Sequence, residues 1–237
     1  MSAQKFTFQQ FTINQSKTAM KAGTDGVLLG ACCDFSKAEN ILDIGTGTGL
    51  ITLMAAQKSN AKITAIEIDE DAFEQAKENF EVSKFKDRIK ILHDDFLIFA
   101  ERHNQKFDYI VSNPPFFQNS KKSDNSQRNL ARHTDSLPFK KMIFGVNNLL
   151  DYNGTFSVII PYNEILDFTY WCAKCGMHIC RKIVIYTKPN TTPLRAILSY
   201  SKTIKPLIQN DLIINDQDGK YSQDFRTITK DFYLHLK

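Results

Sequence analysis

Two stretches of this 237-residue chain hold residue types whose spacing could do chemistry. The first is Asn113-Pro114-Pro115-Phe116. Consecutive prolines can neither continue a strand ladder nor sit inside a helix, so a strand that reaches them must leave its sheet there. The rigid turn holds the side-chain carbonyl of Asn113 and the main-chain carbonyl of Pro114 as two fixed acceptors. Such a pair can take both hydrogens of a planar exocyclic amine, draw its lone pair out of conjugation and aim it at an electrophile. In chemistry of that kind, positioning supplies much of the rate. Phe116 adds an aromatic face on which a planar ring can stack, a contact worth about 1–3 kcal/mol for a base. No general base is required at the start, since the proton can leave after the transfer.

The second stretch, Ile41 to Ile51, reads ILDIGTGTGLI. Glycines between a strand and a helix let backbone approach a ligand closely, because glycine adopts positive φ freely and has no side chain in the way. The spacing Gly45-x-Gly47-x-Gly49 is neither the G-x-G-x-x-G of dinucleotide sites nor a phosphate loop. Asp43, two residues before the first glycine, suits a cation and would repel a bound phosphate. Glu67 follows Gly49 by 18 residues, near the spacing at which Rossmann-like folds place an acid for ribose hydroxyls.

The elements that must carry these residues can be read in order. Thr24 or Asp25 can N-cap a helix from Val27, and a further helix runs from Leu50 to Gln57. Short apolar runs predict parallel strands at Lys62 to Ile68, Ile89 to Leu92, Phe107 to Ser112 and Gly154 to Ile160. Helices are expected from Asp69 to Ser83, Phe139 to Leu150 and Glu164 to Cys175, with Asp69 as an N-cap and Gly176 at C′. Ile179 to Tyr186 and Arg195 to Tyr200 read as a closing antiparallel pair. Residues 203–237 read as a peripheral extension whose Tyr221, Phe225 and Phe232 to Leu234 can pack back on the body.

Composition allows one sizeable α/β domain spanning 1–237, and the simpler count is one. No apolar run approaches a membrane span and no signal peptide is evident, so a cytoplasmic protein is expected. Five cysteines, an odd number, fit reduced thiols better than a disulfide framework. Cys172, Cys175, His178 and Cys180 could ligate zinc, but their helix and strand periodicity explains them without metal, and none is expected. The net charge of +4 is unevenly spread. Between Phe117 and Lys141, Lys121, Lys122, Arg128, Arg132, Lys140 and Lys141 face only Asp124 and Asp135, with His133 in addition. A polar loop so charged, leaving the substrate edge, is placed to touch phosphates.

Residue by residue, the glycine stretch resembles the first motif of the Rossmann-like methyltransferases, which bind S-adenosylmethionine. N-P-P-F resembles the motif of enzymes that methylate a planar nitrogen of adenine, guanine or glutamine. With MKAGTDGVLLGA, AIEID, the ARHT around Arg132 and the terminal TKDFYL, the chain resembles the bacterial tRNA adenine-N6 methyltransferases that act on valine tRNA at adenine 37. The resemblance implies a seven-stranded, mostly parallel sheet with an antiparallel last strand and helices on both faces. It puts Asp43, Gly45, Gly47 and Glu67 at S-adenosylmethionine, with Thr24 and Asp25 over its methionine end. Asp95, or its neighbour Asp94, would accept from the adenine amino group, and Phe96 would pack on that ring. Asn113, Pro114, Pro115 and Phe116 would hold the target base, and Lys121, Lys122, Arg128, Arg132 and His133 the RNA. A DNA substrate and a membrane are not expected, and a monomer is favoured. A guanine-N2 or adenine-N6 rRNA enzyme and a protein-glutamine enzyme remain alternatives, as does a catalytically silent RNA-binding protein.

Overall fold

A computed structural model describes residues 4–18, 21–115 and 137–234. The chain opens with a small hairpin, β1 (Lys5–Thr7) and β2 (Thr12–Asn14), and a helix, α1 (Thr24–Cys32). Strands and helices then alternate: β3 (Asn40–Ile44), α2 (Leu50–Lys58), β4 (Lys62–Glu67), α3 (Glu70–Glu81), β5 (Ile89–His93), α4 (Phe96–Arg102) and β6 (Phe107–Ser112). After α5 (Leu137–Leu149) come β7 (Leu150–Pro161), α6 (Ile165–Lys174), β8 (His178–Tyr186), β9 (Arg195–Ser201), β10 (Ile208–Ile213) and α7 (Gln223–Thr229).

The main sheet has the order β10-β8-β9-β7-β6-β3-β4-β5. Every neighbouring pair is parallel except those of β9, which runs against both β7 and β8. The fold class is therefore the one expected, with one more strand. β10 pairs in parallel with β8 from Ile208↔Arg181 to Ile213↔Tyr186, in a segment the sequence reading left as a peripheral extension. Leu212 is the single buried residue of IQNDLI, so this outer edge strand lacks the apolar run that marks a buried one.

Two apolar layers sandwich the sheet. Ile41 of β3 shares one layer with Leu28, Leu53 and Phe80 of α1, α2 and α3. Leu42 shares the other with Phe99, Val146 and Phe168 of α4, α5 and α6. Successive strand residues face opposite layers, which is why the inner strands read as continuous apolar runs rather than alternations. The C-terminal segment joins the first layer: Phe225 and Phe232 are buried, and the Tyr233 ring lies 5.7 Å from those of Phe6 and Phe8.

β3 is the pivot. From it the chain steps outward to β4 and β5, then returns across α4 to place β6 on β3's other side. This reversal of direction opens a crevice at the carboxyl ends of β3 and β6, where open α/β sheets bind ligands. The glycine turn leaves β3 at that edge and Asn113 leaves β6 there.

Candidate active site

Gly45, Gly47 and Gly49 all take positive φ, at 69°, 58° and 83°. Their surroundings separate them into two kinds. A Cβ on Gly49 would stand 2.4 Å from the Phe80 ring, so this glycine lets α2 pack against α3. A Cβ on Gly45 or Gly47 would meet nothing among the described residues within 4 Å, so these two border open space at the sheet edge. The turn is tied to the neighbouring strand by bonds from the Gly45 and Thr46 N–H groups to Ile66 O, at 2.9 and 3.1 Å.

Asp43 sits beneath the turn and is fully buried. Its Oδ2 accepts from Thr46 Oγ1 at 2.8 Å and Thr52 Oγ1 at 2.7 Å, while Oδ1 has no partner among the described residues. Burial pushes the carboxyl up to about 6 against the lowering effect of the two hydroxyls, and the nearby Glu67 adds to the rise. Glu67 ends β4 and is also buried. Gly47 N–H donates to its Oε2 at 2.8 Å, and Ile68 and Asp69 N–H donate to its Oε1 at 2.9 and 3.0 Å. Three backbone donors thus orient the carboxylate toward the glycine turn before any ligand arrives. The next residue, Ile68, is 64% exposed, an apolar surface at the crevice that could meet a base. Its signal in the sequence was only its place after the acid.

Asp95 is the N-cap of α4, where its Oδ1 accepts from Leu97 N–H at 2.7 Å. Asp94 Oδ1 accepts from Asp95 N–H at 2.8 Å, and Asp94 N–H donates to Glu67 O at 3.1 Å. The two acids therefore lie at the same edge as Glu67. Phe96 is almost wholly buried, its ring so close to Gly145 of α5 that a Cβ there would lie 2.9 Å away; its first duty is to the core.

The N-terminal turn corrects one expectation. Thr24 and Asp25 do not cap: α1 begins at Thr24, its N-cap is Gly23, and no side chain among the described residues caps the end. Asp25 instead pairs through Oδ2 with Arg195 Nε at 3.1 Å. The competing interaction wins because Arg195 begins β9 opposite Pro161, on the same carboxyl rim. Gly26 then lies against the crevice, where a Cβ would stand 3.2 Å from Leu50 Cδ2 and 3.9 Å from Asn113 Nδ2.

Asn113 and Pro114 are half-buried and Pro115 is exposed, directly after Ser112 closes β6. Ser112 Oγ donates to Ile44 O at 3.0 Å, joining the last residues of β6 and β3. Phe116 lies outside the described residues, as do Lys121, Lys122, Arg128, Arg132 and His133. Lys140 and Lys141, described, are exposed near the start of α5.

Two residues that sequence reasoning missed hold this site together. Asn79 of α3, fully buried, donates through Nδ2 to Thr48 O of the glycine turn and to Asn14 O of β2, both at 2.9 Å. Its Oδ1 accepts from Asn14 N–H at 2.9 Å. One turn earlier, Gln75 Oε1 accepts from Lys17 N–H at 3.1 Å. Both amides occupy the buried face of α3 beside Ala72, Ala76 and Phe80, and a polar pair in an apolar register was the available signal.

Cys172 and Cys175 lie at the end of α6 and His178 and Cys180 on β8, with Gly176 at φ 72° between them. A cavity of about 300 Å³ lies at the amino ends of β3, β4 and β5, lined by Asn40, Lys62 and Arg88 among others. It faces away from the glycine turn and the N-P-P segment and takes no part in the site. The crevice itself fits S-adenosylmethionine on two observations. Among the described residues the buried Oδ1 of Asp43 lacks a partner, and the glycines above it leave open space beside a second carboxylate.

Comparison with known proteins gives concordant results. The model of the Methyltransferase small domain matches residues 15–159. A protein of Phocaeicola vulgatus named tRNA1(Val) (adenine(37)-N6)-methyltransferase is 45% identical over 231 residues, covering 98% of each chain. One of Bacteroides thetaiotaomicron bearing the same name is 43% identical over 234 residues, again covering 98% of each. Among solved structures, one described as a predicted O-methyltransferase from Agrobacterium tumefaciens superposes with a TM-score of 0.68 at 17% identity, covering 90% of this chain and 99% of that one. That likeness shows a shared fold.

Proposed function

The chain belongs to the tRNA1(Val) (adenine(37)-N6)-methyltransferase family, and on that premise we propose how its residues divide the work of S-adenosylmethionine-dependent N6-methylation of adenine 37 in valine tRNA. When bound, S-adenosylmethionine supplies a methyl group made electrophilic by its sulfonium.

Asp43, Gly45, Gly47 and Glu67 hold the cofactor. Gly45 and Gly47 admit it close to the backbone, the Asp43 carboxylate offsets its positive charge, and Glu67 takes ribose hydroxyls on the lone pairs its three backbone donors leave free. Asp95 or Asp94 accepts from the adenine amino group, and Ile68 and Phe96 border that ring. Thr24 and Asp25, in the first turn of α1, close the methionine end.

Asn113 and Pro114 hold the target. The side-chain oxygen of one and the main-chain oxygen of the other accept the two N6 hydrogens, so the nitrogen lone pair points at the methyl group. Pro115 stiffens the turn and Phe116 stacks on the flipped base. As N6 gains the methyl group it becomes cationic, and its surplus proton passes to solvent.

The observation that carries this division is the junction of β3 and β6, where Ser112 bonds to Ile44 and sets Asn113 beside the glycine turn. Lys121, Lys122, Arg128, Arg132 and His133 supply the contact to tRNA phosphates, a reading that rests on their charge excess. Such a reaction belongs in the cytoplasm with its tRNA.

The test is Asn113→Ala with purified components. Transfer to tRNA is expected to fall by at least about a hundredfold, the loss typical of removing an aimed acceptor, while S-adenosylmethionine affinity stays near that of the parent. Substantial activity in this variant would contradict the assignment.

A further inference from the structure

The turn that links β4 to α3 is held at each N–H and carbonyl of Ile68 and Asp69. Their N–H groups donate to Glu67 Oε1 at 2.9 and 3.0 Å, and Asp69 O accepts from Phe73 N–H at 2.9 Å. The Ile68 carbonyl bonds to His93 Nε2 at 3.0 Å. A carbonyl can only accept, so Nε2 carries the proton there. His93 ends β5 and stands opposite Glu67 in the β4–β5 register, so two cross-strand neighbours grip one turn from two sides.

His93 is itself fixed by packing. Its ring stacks on that of Phe73 in α3, with centroids 5.1 Å apart and planes 23° from parallel, and Lys77 Nζ lies 5.9 Å from the Phe73 centroid. Stacking of this kind sets the plane of the imidazole as well as its place. With its backbone pinned, Ile68 has one free part, a side chain 64% exposed. It stands at the edge where Asp94 N–H bonds to Glu67 O at 3.1 Å. A lone exposed isoleucine needs no explanation. This one sits on a turn gripped by a buried acid and a stacked histidine, so its direction is set by the fold.

We propose that His93 is a positioning residue for the adenine of S-adenosylmethionine. Stacked on Phe73 and bonded to the Ile68 carbonyl, it presents the Ile68 side chain as a preset apolar face on which the purine packs. Order that a loose turn would have to acquire on binding is already in the fold, which is how preorganisation raises affinity. His93 touches no reacting atom and acts through Ile68. The inference rests on the reading of this crevice as the cofactor site, and within it assigns the purine's face to Ile68 and its edge to Asp94 or Asp95.

The test measures Kd for S-adenosylmethionine and for adenosine, together with melting temperature, in the full chain carrying His93→Ala, His93→Gln, Ile68→Ala, or both alanine changes at once. His93→Ala is expected to raise both Kd values by about fivefold, the worth of one ordinary hydrogen bond, because the purine is common to both ligands. His93→Gln, whose amide N–H reaches about as far as Nε2, should recover most of the loss. With both alanine changes the cost should be clearly less than the product of the separate effects, since His93 acts only through Ile68.

A lower melting temperature in His93→Ala with both Kd values within about twofold of the parent would overturn the proposal, leaving His93 a part in stability alone. So would a loss for S-adenosylmethionine that adenosine does not share, which would place the effect at the methionine end. Separate effects that simply multiply when combined would overturn it too, by uncoupling His93 from Ile68. Should His93→Ala fail to fold, His93→Asn, too short to reach the Ile68 carbonyl, carries the same expectations. The two readings fail separately. Full S-adenosylmethionine affinity in Glu67→Gln would count against the cofactor site itself, whereas a weakened Glu67→Gln beside an unaffected His93→Ala would remove only the positioning role.

Discussion

At the scale of single residues, glycines in one motif have unlike tasks and should respond differently to the same substitution. Gly49→Ala places a Cβ within 2.4 Å of the Phe80 ring at a φ of 83°, so both strain and overlap oppose it. A loss of about 2 kcal/mol or more is expected by thermal or urea unfolding. Gly45→Ala meets open space, and only its φ of 69° is unfavourable. It should cost about 1 kcal/mol of stability yet weaken S-adenosylmethionine binding at least about tenfold, since the methyl group would point where we place the cofactor. Asp43 makes a pH-dependent prediction. Its carboxyl is held at about 6 in the fold, above the usual 3.8. The fold therefore prefers the protonated form, so this group's stabilising contribution is fully present below pH 3.8 and is lost as pH rises through 6. A cationic ligand prefers the ionised form, so affinity should weaken as pH falls below about 6. Calorimetry from pH 5 to 8 should show that slope in the parent and a flat, weaker profile in Asp43→Asn; identical profiles would separate Asp43 from cofactor charge. The residue types at these positions were legible because glycine, proline and buried acids have few alternative uses between a strand and a helix. The Asp25–Arg195 pair was not, because its members are 170 positions apart and Arg195 stands in no motif.

At the scale of elements, the site depends on a polar brace that holds the N-terminal segment to α3. Asn79 bonds Asn14 on both its N–H and carbonyl while holding Thr48 O, so one side chain registers the hairpin against the glycine turn. Asn79→Leu would bury the three abandoned backbone groups without partners. About 2–4 kcal/mol should be lost, and S-adenosylmethionine affinity should fall with it because the turn loosens. Hydrogen exchange at Asn14 and in the glycine turn would register the change, and unaltered protection at both would contradict the brace. Helices and inner strands were legible from apolar pattern and capping: Asp69 does cap α3, accepting from Ala72 N–H at 2.9 Å. The α1 start misled because Thr24 and Asp25 are good capping residues by type, and only tertiary pairing with β9 decides otherwise. β10 escaped because edge strands need no alternating pattern when one buried leucine suffices to dock them.

At the scale of the whole molecule, the order of elements brings together residues that no local pattern connects. The outward walk from β3 to β5 and the return to β6 put the glycine turn and the N-P-P turn side by side, while α1 and the N-terminal hairpin reach the same rim from the start of the chain. The C-terminal segment closes the other end of that layer, with Gln9 donating to Lys230 O at 2.7 Å and Tyr233 O at 2.9 Å. Fold class and reaction type were legible because alternating strands and helices admit few topologies, and N-P-P-F at a strand end has few chemistries. The proposed RNA contact rests only on a charge excess, since the basic residues follow no periodic pattern. Reversing the charges of Lys121, Lys122 and Arg128 should raise KM for tRNA and reduce its salt dependence while leaving S-adenosylmethionine affinity alone; an unchanged KM would free that stretch from RNA contact. The most direct test of the central claim uses labelled S-adenosylmethionine, the purified protein and total tRNA from cells lacking it, followed by nucleoside mass spectrometry. We predict N6-methyladenosine at position 37 of valine tRNA. Label appearing instead in rRNA or protein, with none in tRNA, would contradict it.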